Sequence, residues 1–314
     1  MILHLKEHVN GHVKKSLPAP FVKGGRREIF ENIPQKIEVR RFQNIIRKYA
    51  WRARRDLPWR RTRDPYQILV SEIMLQQTQV ARVLEFYPRF IARFPDFRRL
   101  SRASLRLVLK EWQGLGYNRR ALMLKKLSGV IMERHGGTLP ADHELLLELP
   151  GIGKATAGAV LAFAFRKPAV FIETNIRRVY LHFFFPGCGG VRDAEIFPLV
   201  VETLDRRNPR EWYYALMDYG AMLAKTVRNP NRRSAHFKTQ SRFRGSLREG
   251  RGAIIRAFST DCSLSLAQLQ GRCPGSGHIF SKALEALRRE GFLHVQGERV
   301  SITEDGIAPH IWRD

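Results

Sequence analysis

Residues 146–165 read LLELPGIGKATAGAVLAFAF, and they give the clearest indication of the fold. An apolar helix runs into Leu149-Pro150-Gly151-Ile152-Gly153, and a second helix begins at about Lys154. The two glycines permit a tight turn and let the backbone approach another surface closely. The start of the second helix offers N–H groups and a positive dipole end, and Lys154 adds a charge. The pattern indicates a helix-hairpin-helix that holds an anion, although a plain pair of antiparallel helices would share most of it.

The charge balance indicates which anion the chain binds. The 314 residues include 55 Lys and Arg against 29 Asp and Glu, a formal net charge of +26, and the pI is near 10.9. This excess favours a polyanionic partner, either nucleic acid or an acidic membrane surface, over a basic surface that serves only solubility. No apolar run approaches the ~20 residues that span a bilayer, and the first residues lose their apolar character too early for a signal peptide. For the hairpin we therefore favour a DNA phosphate, held without reading sequence, and we expect no membrane partner.

The cysteines suggest a compartment and limit the cofactors. Cys188, Cys262 and Cys273 are the three in the chain, and they are widely separated. This usage fits a reducing compartment, so we predict a cytoplasmic protein, associated with the nucleoid if the source is bacterial. Three cysteines are too few for a four-cysteine zinc or iron–sulfur site, and no metal or other cofactor is expected.

The chain divides into three parts by its residue pattern. Residues 1–38 lack periodicity and are expected to form a basic flexible arm. In residues 39–245 nearly every apolar run has helical spacing, and turns rich in Gly and Pro separate the runs, which predicts a mostly α-helical body. Residues 246–314 read as three short helices and a hairpin, which is typical of a small winged-helix-like α+β module.

A basic stretch joins the body to this module. Between Lys225 and Arg256 ten Lys and Arg residues face one acid, Glu249. Such a stretch is either a solvated linker or a strap that binds phosphates. The module itself could grip DNA, bind a protein or serve only as a packing domain, and its sequence does not choose among these roles.

Several blocks of sequence carry a resemblance to a known family. They are LPWR (57–60), DPYQILVSEIMLQQTQV (64–80), WQGLGY (112–117), LPGIGKATAGAV (149–160), ETNIRRV (173–179) and MDYGAM (217–222). Over slightly more than half of its length the chain resembles the helix-hairpin-helix (HhH-GPD) superfamily of DNA glycosylases, and within it the MutY-type adenine glycosylases. The resemblance implies a two-lobed, all-helical body with a cleft that receives a flipped base. We place a six-helix lobe at about 66–168 and a second lobe at 39–65 plus 169–245.

Glu72 is the candidate general acid. It lies inside an apolar helical run, where an unpaired carboxylate is costly and its pKa tends to rise. That environment suits proton donation, although a buried glutamate with a core partner would give the same pattern. The family's general acid occupies this place and protonates the imidazole nitrogen of a purine, so the resemblance implies this role for Glu72. It also implies that Gln77 enters the duplex beside the extruded nucleotide, whereas Gln76 stabilises the turn.

Tyr117 is the candidate wedge in the duplex. It stands in the Gly-bounded loop of WQGLGYNRRA, where an exposed aromatic could replace the stacking lost when a base is flipped. The resemblance implies the same role. We interpret Trp112 as core packing, and Arg119 and Arg120 as phosphate contacts. Gly151, Gly153 and Lys154 of the hairpin complete the predicted DNA-binding residues of this region.

Glu173 is the candidate second carboxylate. It matches the position of the family's essential aspartate, which stabilises the oxocarbenium-like sugar and orients or deprotonates water. By the same match Asn175 belongs to the active site, and Arg177 and Arg178 form the basic pair that follows, with Arg177 as a DNA contact. An ordinary reading is an N-terminal helix cap, and both roles are compatible. Glutamate reaches about 1 Å further than aspartate, so the site is either adjusted to the longer acid, repurposed or inactive.

The chain departs from the family in four places. Ala155 stands where bifunctional relatives resembling endonuclease III have a Schiff-base lysine, and Lys154 is rotated about 100° from it on a helix. Ala224 stands at the first of the four positions that carry iron–sulfur cysteines. The tail is shorter than the Nudix-like domain that checks for 8-oxoguanine in the family. ETN (173–175) replaces the family's DGN.

These residues lead to one prediction of function and two alternatives. We expect a monofunctional DNA N-glycosylase of base excision repair, monomeric, acting with water on a mismatched base in double-stranded DNA, adenine being favoured. AP-lyase activity is not expected. The first alternative is a glycosylase for thymine or uracil opposite guanine. The second is a catalytically silent protein that recognises lesions or DNA structure.

Overall fold

The structure is a computed structural model that describes residues 36–273 and 276–303. Most of these residues are helical, and one small antiparallel sheet lies near the C-terminus, so the predicted mostly α class is confirmed. The predicted arm at residues 1–38 lies almost wholly outside the described range. Across that range, none of the helices is both long enough and apolar enough to cross a membrane.

The body is built from helices joined by short turns. In chain order they are α1 (Lys36–Ala53), α2 (Pro58–Arg61), α3 (Pro65–Leu75), α4 (Val80–Arg93), α5 (Phe97–Arg102), α6 (Leu105–Trp112), α7 (Arg119–Arg134), α8 (His143–Leu147), α9 (Lys154–Phe163), α10 (Thr174–Phe184), α11 (Asp193–Thr203) and α12 (Pro209–Thr226). A 3-10 turn follows at Pro230–Arg233.

The helices group into two compact units, and the larger one contains the hairpin. It consists of residues 55–171, 204–213 and the described residues from 238 onward, so the C-terminal module packs with it. Residues 55–65 also group here, whereas the sequence analysis assigns them to the second lobe. The reason is tertiary: the side chain of Arg210 donates to the carbonyl oxygens of Arg60 (3.0 Å) and Phe163 (2.5 Å).

Helix α3 forms the centre of the larger unit. Asp64 starts it, because its carboxylate accepts from the amide N–H of Tyr66 at 2.9 Å, and Pro65 has a backbone suited to the first turn. The helix is apolar on nearly all sides, and its buried side chains include Ile68, Leu69 and Val70. Helices α4, α7 and α9 pack around it. The packing around α3 therefore holds its polar surface residues in defined positions.

The smaller unit comprises the described residues 36–54, 172–203 and 214–237. An aromatic cluster fills its core, in which the ring of Phe42 lies 5.1–5.4 Å from those of Tyr180, Phe183 and Phe184. Edge-to-face and tilted ring pairs of this kind add to the free energy gained from burial alone. The cluster anchors α10, the helix that begins directly after Glu173.

The C-terminal module has the predicted winged-helix-like content. Its elements are α13 (Leu247–Ala257), β1 (Ser263–Ser265), α14 (Leu266–Gly271), α15 (Gly277–Arg289), β2 (Leu293–Gln296) and β3 (Arg299–Ile302). The strands are all antiparallel in the order β1-β3-β2. Gly297 turns the hairpin with a φ of +57°, which glycine adopts without strain. The sequence pattern does not predict β1, because three residues are too few to show an alternation.

Candidate functional site

The hairpin has the predicted geometry at the start of α9. Gly151 has a φ of +80°, and a β-carbon there would come within 2.7 Å of the β-carbon of Met123. Gly153 caps the helix with an extended backbone, and Ala157 N–H donates back to its carbonyl at 2.9 Å. Both glycines and Lys154 are exposed, whereas Ile152 between them is buried and holds the turn to the body. The first N–H groups of α9 therefore lie at the surface beside Lys154, where an anion can reach them.

The turn after α3 places Gln77 in a strained conformation. Gln77 is exposed and has a φ of +53°, the left-handed region that non-glycine residues rarely adopt. Gln76 faces the hairpin, and its amide donates to the hydroxyl of Thr156 in α9 at 3.2 Å. The turn is therefore tied to the hairpin through Gln76, the role that the sequence analysis gives this residue.

Tyr117 stands in a second strained turn. Its φ is +48°, and Gly114 before it has a φ of +99° and lies against Phe86, where a β-carbon would come within 2.6 Å of the ring. Trp112 is fully buried, as predicted, and its indole donates to the carbonyl of Gly116 at 3.1 Å. Tyr117 is half-buried, and the expectation of a freely exposed aromatic at the loop tip needs correction.

A single arginine holds both strained turns. The guanidinium of Arg120 donates to the carbonyls of Ile73 (2.9 Å), Met74 (2.9 Å) and Gln76 (2.5 Å) at the end of α3. The same group donates to the carbonyls of Leu115 (3.2 Å) and Gly116 (3.0 Å) and to the hydroxyl of Thr78 (3.0 Å). It also lies over the ring of Tyr117, 5.4 Å from the centroid.

This geometry corrects the prediction that Arg120 contacts phosphate. Burial lowers the pKa of Arg120 to about 10, so the group stays charged at neutral pH while its donors face the protein. Among the described residues three non-glycines have positive φ, namely Gln77, Tyr117 and Arg166, and Arg120 binds beside two of them. Backbone strain of this kind persists where the surroundings over-determine it, often at functional sites. Sequence reasoning had no signal for this role, since the acceptors are backbone carbonyls from two distant segments.

Four of the predicted DNA-binding residues line one groove of the larger unit. Gln77, Tyr117, Arg119 and Gly151 all border a space of about 830 Å³. Arg119 is exposed there, in contrast to its neighbour Arg120. The structure thus brings together residues that are up to 74 positions apart in the chain, as a shared binding surface requires.

Glu72 lies on α3 between the buried residues Ser71 and Ile73, and its own side chain is half-buried. It is therefore less enclosed than an interior position of an apolar run suggests. Glu72 belongs to the larger unit, whereas Glu173 and Asn175 belong to the smaller one.

Glu173 is the N-cap of α10. Its Oε1 accepts from the N–H groups of Asn175 (2.8 Å) and Ile176 (2.9 Å), and its Oε2 accepts from the amide of Asn175 at 3.4 Å. Burial raises the pKa of the Glu173 carboxyl, and the two backbone hydrogen bonds and the charges of Arg178 and Arg177 oppose this shift. The carboxylate is thus fixed in position through Oε1, and Oε2 keeps only one long contact.

Asn175 connects this cap to a buried arginine. Its side-chain oxygen accepts from Arg178 at 2.7 Å, and Arg178 also donates to the carbonyl of Gly220 (2.8 Å) and the side chain of Asn229 (3.2 Å). Gly220 allows the close approach, since a β-carbon there would come within 2.4 Å of the Asn175 carbonyl oxygen. The ETN and MDYGAM blocks are therefore one packed structure, and Arg178 orients Asn175 towards Glu173.

Arg177 has a protein partner. Its guanidinium makes a two-point ion pair with Asp193, with both N–O distances at 2.6 Å. Sequence reasoning assigns Arg177 to DNA and has no role for Asp193. In this structure the two Arg177 donors that would pair best with a phosphate bind the carboxylate of Asp193.

The residues present do not fit the family's iron–sulfur cluster. Each of the three cysteines is free, and three thiols cannot supply four ligands. Cys188 lies in the smaller unit, whereas Cys262 and Cys273 lie in the C-terminal module. Ala224, at the first ligand position of the family, is exposed near the end of α12.

The chain is similar to known DNA glycosylases. The model of the HhH-GPD superfamily base excision DNA repair protein matches residues 70–187. The adenine DNA glycosylase of Mycobacterium tuberculosis is 42% identical over 190 residues, which cover 58% of this chain and 61% of the relative. The thymine/uracil-DNA glycosylase of Methanothermobacter thermautotrophicus is 33% identical over 177 residues, which cover 54% of this chain and 78% of the relative.

A solved structure shows the same fold. It is a thermostable thymine-DNA glycosylase, with 28% identity and a TM-score of 0.55 over 62% of this chain and 91% of that one. The chain spans less than two thirds of the length of adenine DNA glycosylases that it matches, 52% in Buchnera aphidicola and 61% in Mycobacterium tuberculosis.

Proposed function

Because the chain belongs to the HhH-GPD superfamily of base excision DNA repair proteins, we propose that it is a monofunctional DNA N-glycosylase that removes adenine from a purine mismatch. The observation that carries the proposal is the held carboxylate of Glu173, whose Oε1 is fixed by two backbone N–H groups while Oε2 keeps one long contact. A carboxylate held in this way supplies fixed negative charge without reorganisation during the reaction.

The proposed reaction begins when the duplex binds the hairpin through Gly151, Gly153 and Lys154. Gln77 and Tyr117 fill the space left by the extruded nucleotide, which offsets part of the stacking that is lost. Both side chains start from left-handed backbone positions, so their direction is set before DNA arrives.

Bond cleavage then uses the two carboxyl groups. Glu72 donates a proton to the imidazole nitrogen of adenine, the C1′–N9 bond breaks, and the base leaves with the bonding electron pair. Glu173 stabilises the positive charge on the sugar, and water adds to C1′ and loses a proton, which leaves an abasic site. Water is the proposed nucleophile because Ala155 stands in the position of the Schiff-base lysine. No step needs a metal or another cofactor.

A second candidate is removal of thymine or uracil opposite guanine. The similarity to a thymine/uracil-DNA glycosylase, which this chain covers over 78% of its length, favours it. Adenine remains the first choice, since Glu72 supplies the proton that departure of a purine requires.

The test is one panel of duplexes that contain adenine, thymine or uracil opposite guanine and adenine opposite 8-oxoguanine. Base release is measured under single-turnover conditions for wild type, Glu72→Gln, Glu173→Gln and Glu173→Asp. We expect adenine release that both Gln variants reduce by at least about 100-fold, the scale of one lost acid–base or electrostatic contribution. Full activity of Glu173→Gln would refute the role of that carboxylate. Uracil release without adenine release would establish the second candidate.

Absence of release from every duplex, with DNA binding intact, would instead identify a catalytically silent DNA-binding protein. Glu173→Asp separates two forms of the enzyme hypothesis. A slower variant indicates a backbone adjusted to glutamate, because a shift of about 1 Å can cost about 100-fold in rate. A faster variant indicates a site built for aspartate.

A further inference from the structure

The segment that follows α12 packs against α10, although the proposed reaction uses none of its residues. It contains the 3-10 turn Pro230–Arg233, and both this turn and α10 belong to the smaller unit. The side chains of Pro230, Asn231 and Ser234 are buried. This part of the basic stretch that starts at Lys225 is therefore folded onto the body, with a packed centre.

Asn231 contacts the start of α10 beside the candidate carboxylate. Its side-chain amide donates to the carbonyl oxygen of Thr174 at 3.0 Å. Thr174 is the first residue of α10 and stands between Glu173 and Asn175 in the chain. Because Asn231 is only 7% exposed, this hydrogen bond is shielded from water. The segment thus reaches the block ETN (173–175) directly.

A single peptide group links Asn231 to Glu173. The carbonyl of Thr174 and the N–H of Asn175 belong to the same peptide unit, which is planar because its C–N bond has partial double-bond character. The carbonyl accepts from Asn231, and the N–H donates to Oε1 of Glu173 at 2.8 Å. The amide of Asn231 therefore helps to set the direction of this N–H. Hydrogen bonds in such a chain also polarise one another, which strengthens the bond to the carboxylate.

Asn229 gives this arrangement a second support. Its side-chain oxygen accepts from the N–H of Asn231 at 3.1 Å and from Nε of Arg178 at 3.2 Å. Arg178 donates in turn to the side-chain oxygen of Asn175 at 2.7 Å. The segment is therefore connected to both donors that Asn175 directs at Glu173, the backbone N–H and the side-chain amide.

Further contacts fix the backbone of the segment. The guanidinium of Arg233 donates to the carbonyl of Leu181 in α10 at 2.7 Å. The N–H of Val191 donates to the carbonyl of Arg233 at 2.8 Å, and the N–H of Ala235 donates to the carbonyl of Val191 at 2.8 Å. Residues 224–237 contain none of the cysteines that the family places there, so hydrogen bonds of this kind hold the segment. They determine where the side chain of Asn231 lies.

We propose that Asn231 is a positioning residue for the reaction: its amide holds the Thr174–Asn175 peptide group in the orientation that directs the Asn175 N–H at Glu173. The inference rests on the proposed function, since it concerns the carboxylate that the reaction uses. Asn231 touches no reacting atom and acts through Glu173. Its Oδ1 is buried and accepts no hydrogen bond from the described residues, so the side chain contributes to this site through its donor.

The test uses the full chain and compares Asn231→Leu with the control Asn44→Leu, at an exposed asparagine of α1 in the same unit. Leucine has the same branched skeleton as asparagine, and an apolar group of similar shape is close to neutral where the bonds of a buried polar group are incomplete. Asn231→Ala removes the same donor if leucine does not fit. Thermal unfolding confirms that each variant is folded.

Two quantities are measured, single-turnover base release and the hydrogen exchange of the Asn175 and Ile176 amides by NMR. Both Asn231 variants should release the base at least about tenfold more slowly, since misplacement by about 1 Å can cost about 100-fold in rate. The two amides donate to Oε1 of Glu173, and they should exchange at least about tenfold faster when the peptide group is released. Asn44→Leu should match wild type in both.

Two further readouts show whether Asn231 acts through Glu173. In the Glu173→Gln background, Asn231→Leu should cause no further loss of rate, because the group that it positions is already gone. The backbone hydrogen bond from Asn175 lowers the pKa of Glu173, so a weaker bond in Asn231→Leu should move the acid limb of base release to higher pH. A loss of stability alone produces neither result.

Wild-type release in both Asn231 variants, slower release with unchanged amide exchange, or an equal further loss in the Glu173→Gln background would each overturn the proposal. The proposed function fails separately. If Asn231→Leu speeds exchange at Asn175 and Ile176 but wild type releases no base from any duplex of the excision panel, Asn231 does hold the peptide group and the enzymatic function is what is refuted.

Discussion

Replacing Arg120 tests whether its guanidinium stabilises the two strained turns at Gln77 and Tyr117. Arg120→Lys keeps the positive charge but exchanges a planar fork for a point charge with three donors. An ammonium group cannot bond at once to the carbonyls after α3 and to those of Leu115 and Gly116, so one turn loses its partner.

The magnitude follows from these contacts. Hydrogen bonds to a charged group contribute about 1.5–3 kcal/mol each, and the second turn contains two carbonyls that accept from Arg120. Relaxation of a left-handed residue returns about 1–3 kcal/mol. We expect the free energy of unfolding to fall by about 2–4 kcal/mol, which is a large part of the 5–15 kcal/mol typical of a domain.

The assay is urea unfolding followed by tryptophan fluorescence. Trp112 reports on this region, because the guanidinium of Arg120 lies 5.5 Å from its ring. The midpoint should move to lower urea with an unchanged slope, which indicates lost stability and not a changed denatured state. Arg119→Lys, at the exposed neighbouring position, is the control. A fall in the free energy of unfolding below about 1 kcal/mol in Arg120→Lys, or an equal fall in Arg119→Lys, would show that Arg120 is not needed to hold the two turns.

Three further changes have defined outcomes. Gly220→Ala should destabilise the protein by about 1–3 kcal/mol or more, because the added β-carbon would come within 2.4 Å of the Asn175 carbonyl oxygen. The control Gly129→Ala in α7, with open space around it, should be neutral or stabilising in thermal unfolding. Lys154→Ala should weaken DNA binding for all sequences and lower the slope of log K against log salt by about 1, and an unchanged slope would exclude a phosphate contact. The pKa of Glu173 is raised, so its ionised form is lost as the pH falls through a value above the usual 4.5. The acid limb of the pH profile of base release should therefore lie above pH 4.5, and it should shift in Glu173→Asp.

The same shift in Glu173 has a consequence for stability. The folded state binds this proton more tightly than the unfolded state, so the contribution is present at low pH and is lost as the pH rises through the raised pKa. Ionisation of the Glu173 carboxyl therefore costs more free energy in the folded state than in the unfolded chain. Such a cost is common where a site is built for reaction and not for stability.

Much of the fold was accessible from the sequence because helical periodicity and turn residues act locally. The hairpin at 149–154, the buried Trp112 and the three helices and β2–β3 hairpin of the module all follow from patterns within about 20 residues. The short strand β1 and the grouping of residues 55–65 with the larger unit do not, because both depend on partners more than 30 positions away.

For the candidate site, the residue patterns predicted the positions of interest at the hairpin, at Gln77, at Tyr117 and at Glu173. How these residues are held depends on tertiary contacts. Arg120 looked like a phosphate contact because a helix start rich in arginine usually faces solvent, yet its guanidinium is enclosed by carbonyls from two separate turns. Backbone carbonyls leave no mark in the sequence, and a groove exists only once distant walls meet. For that reason Arg248 could be recognised as a neighbour of the Tyr117 hydroxyl only when the fold had placed the two residues together.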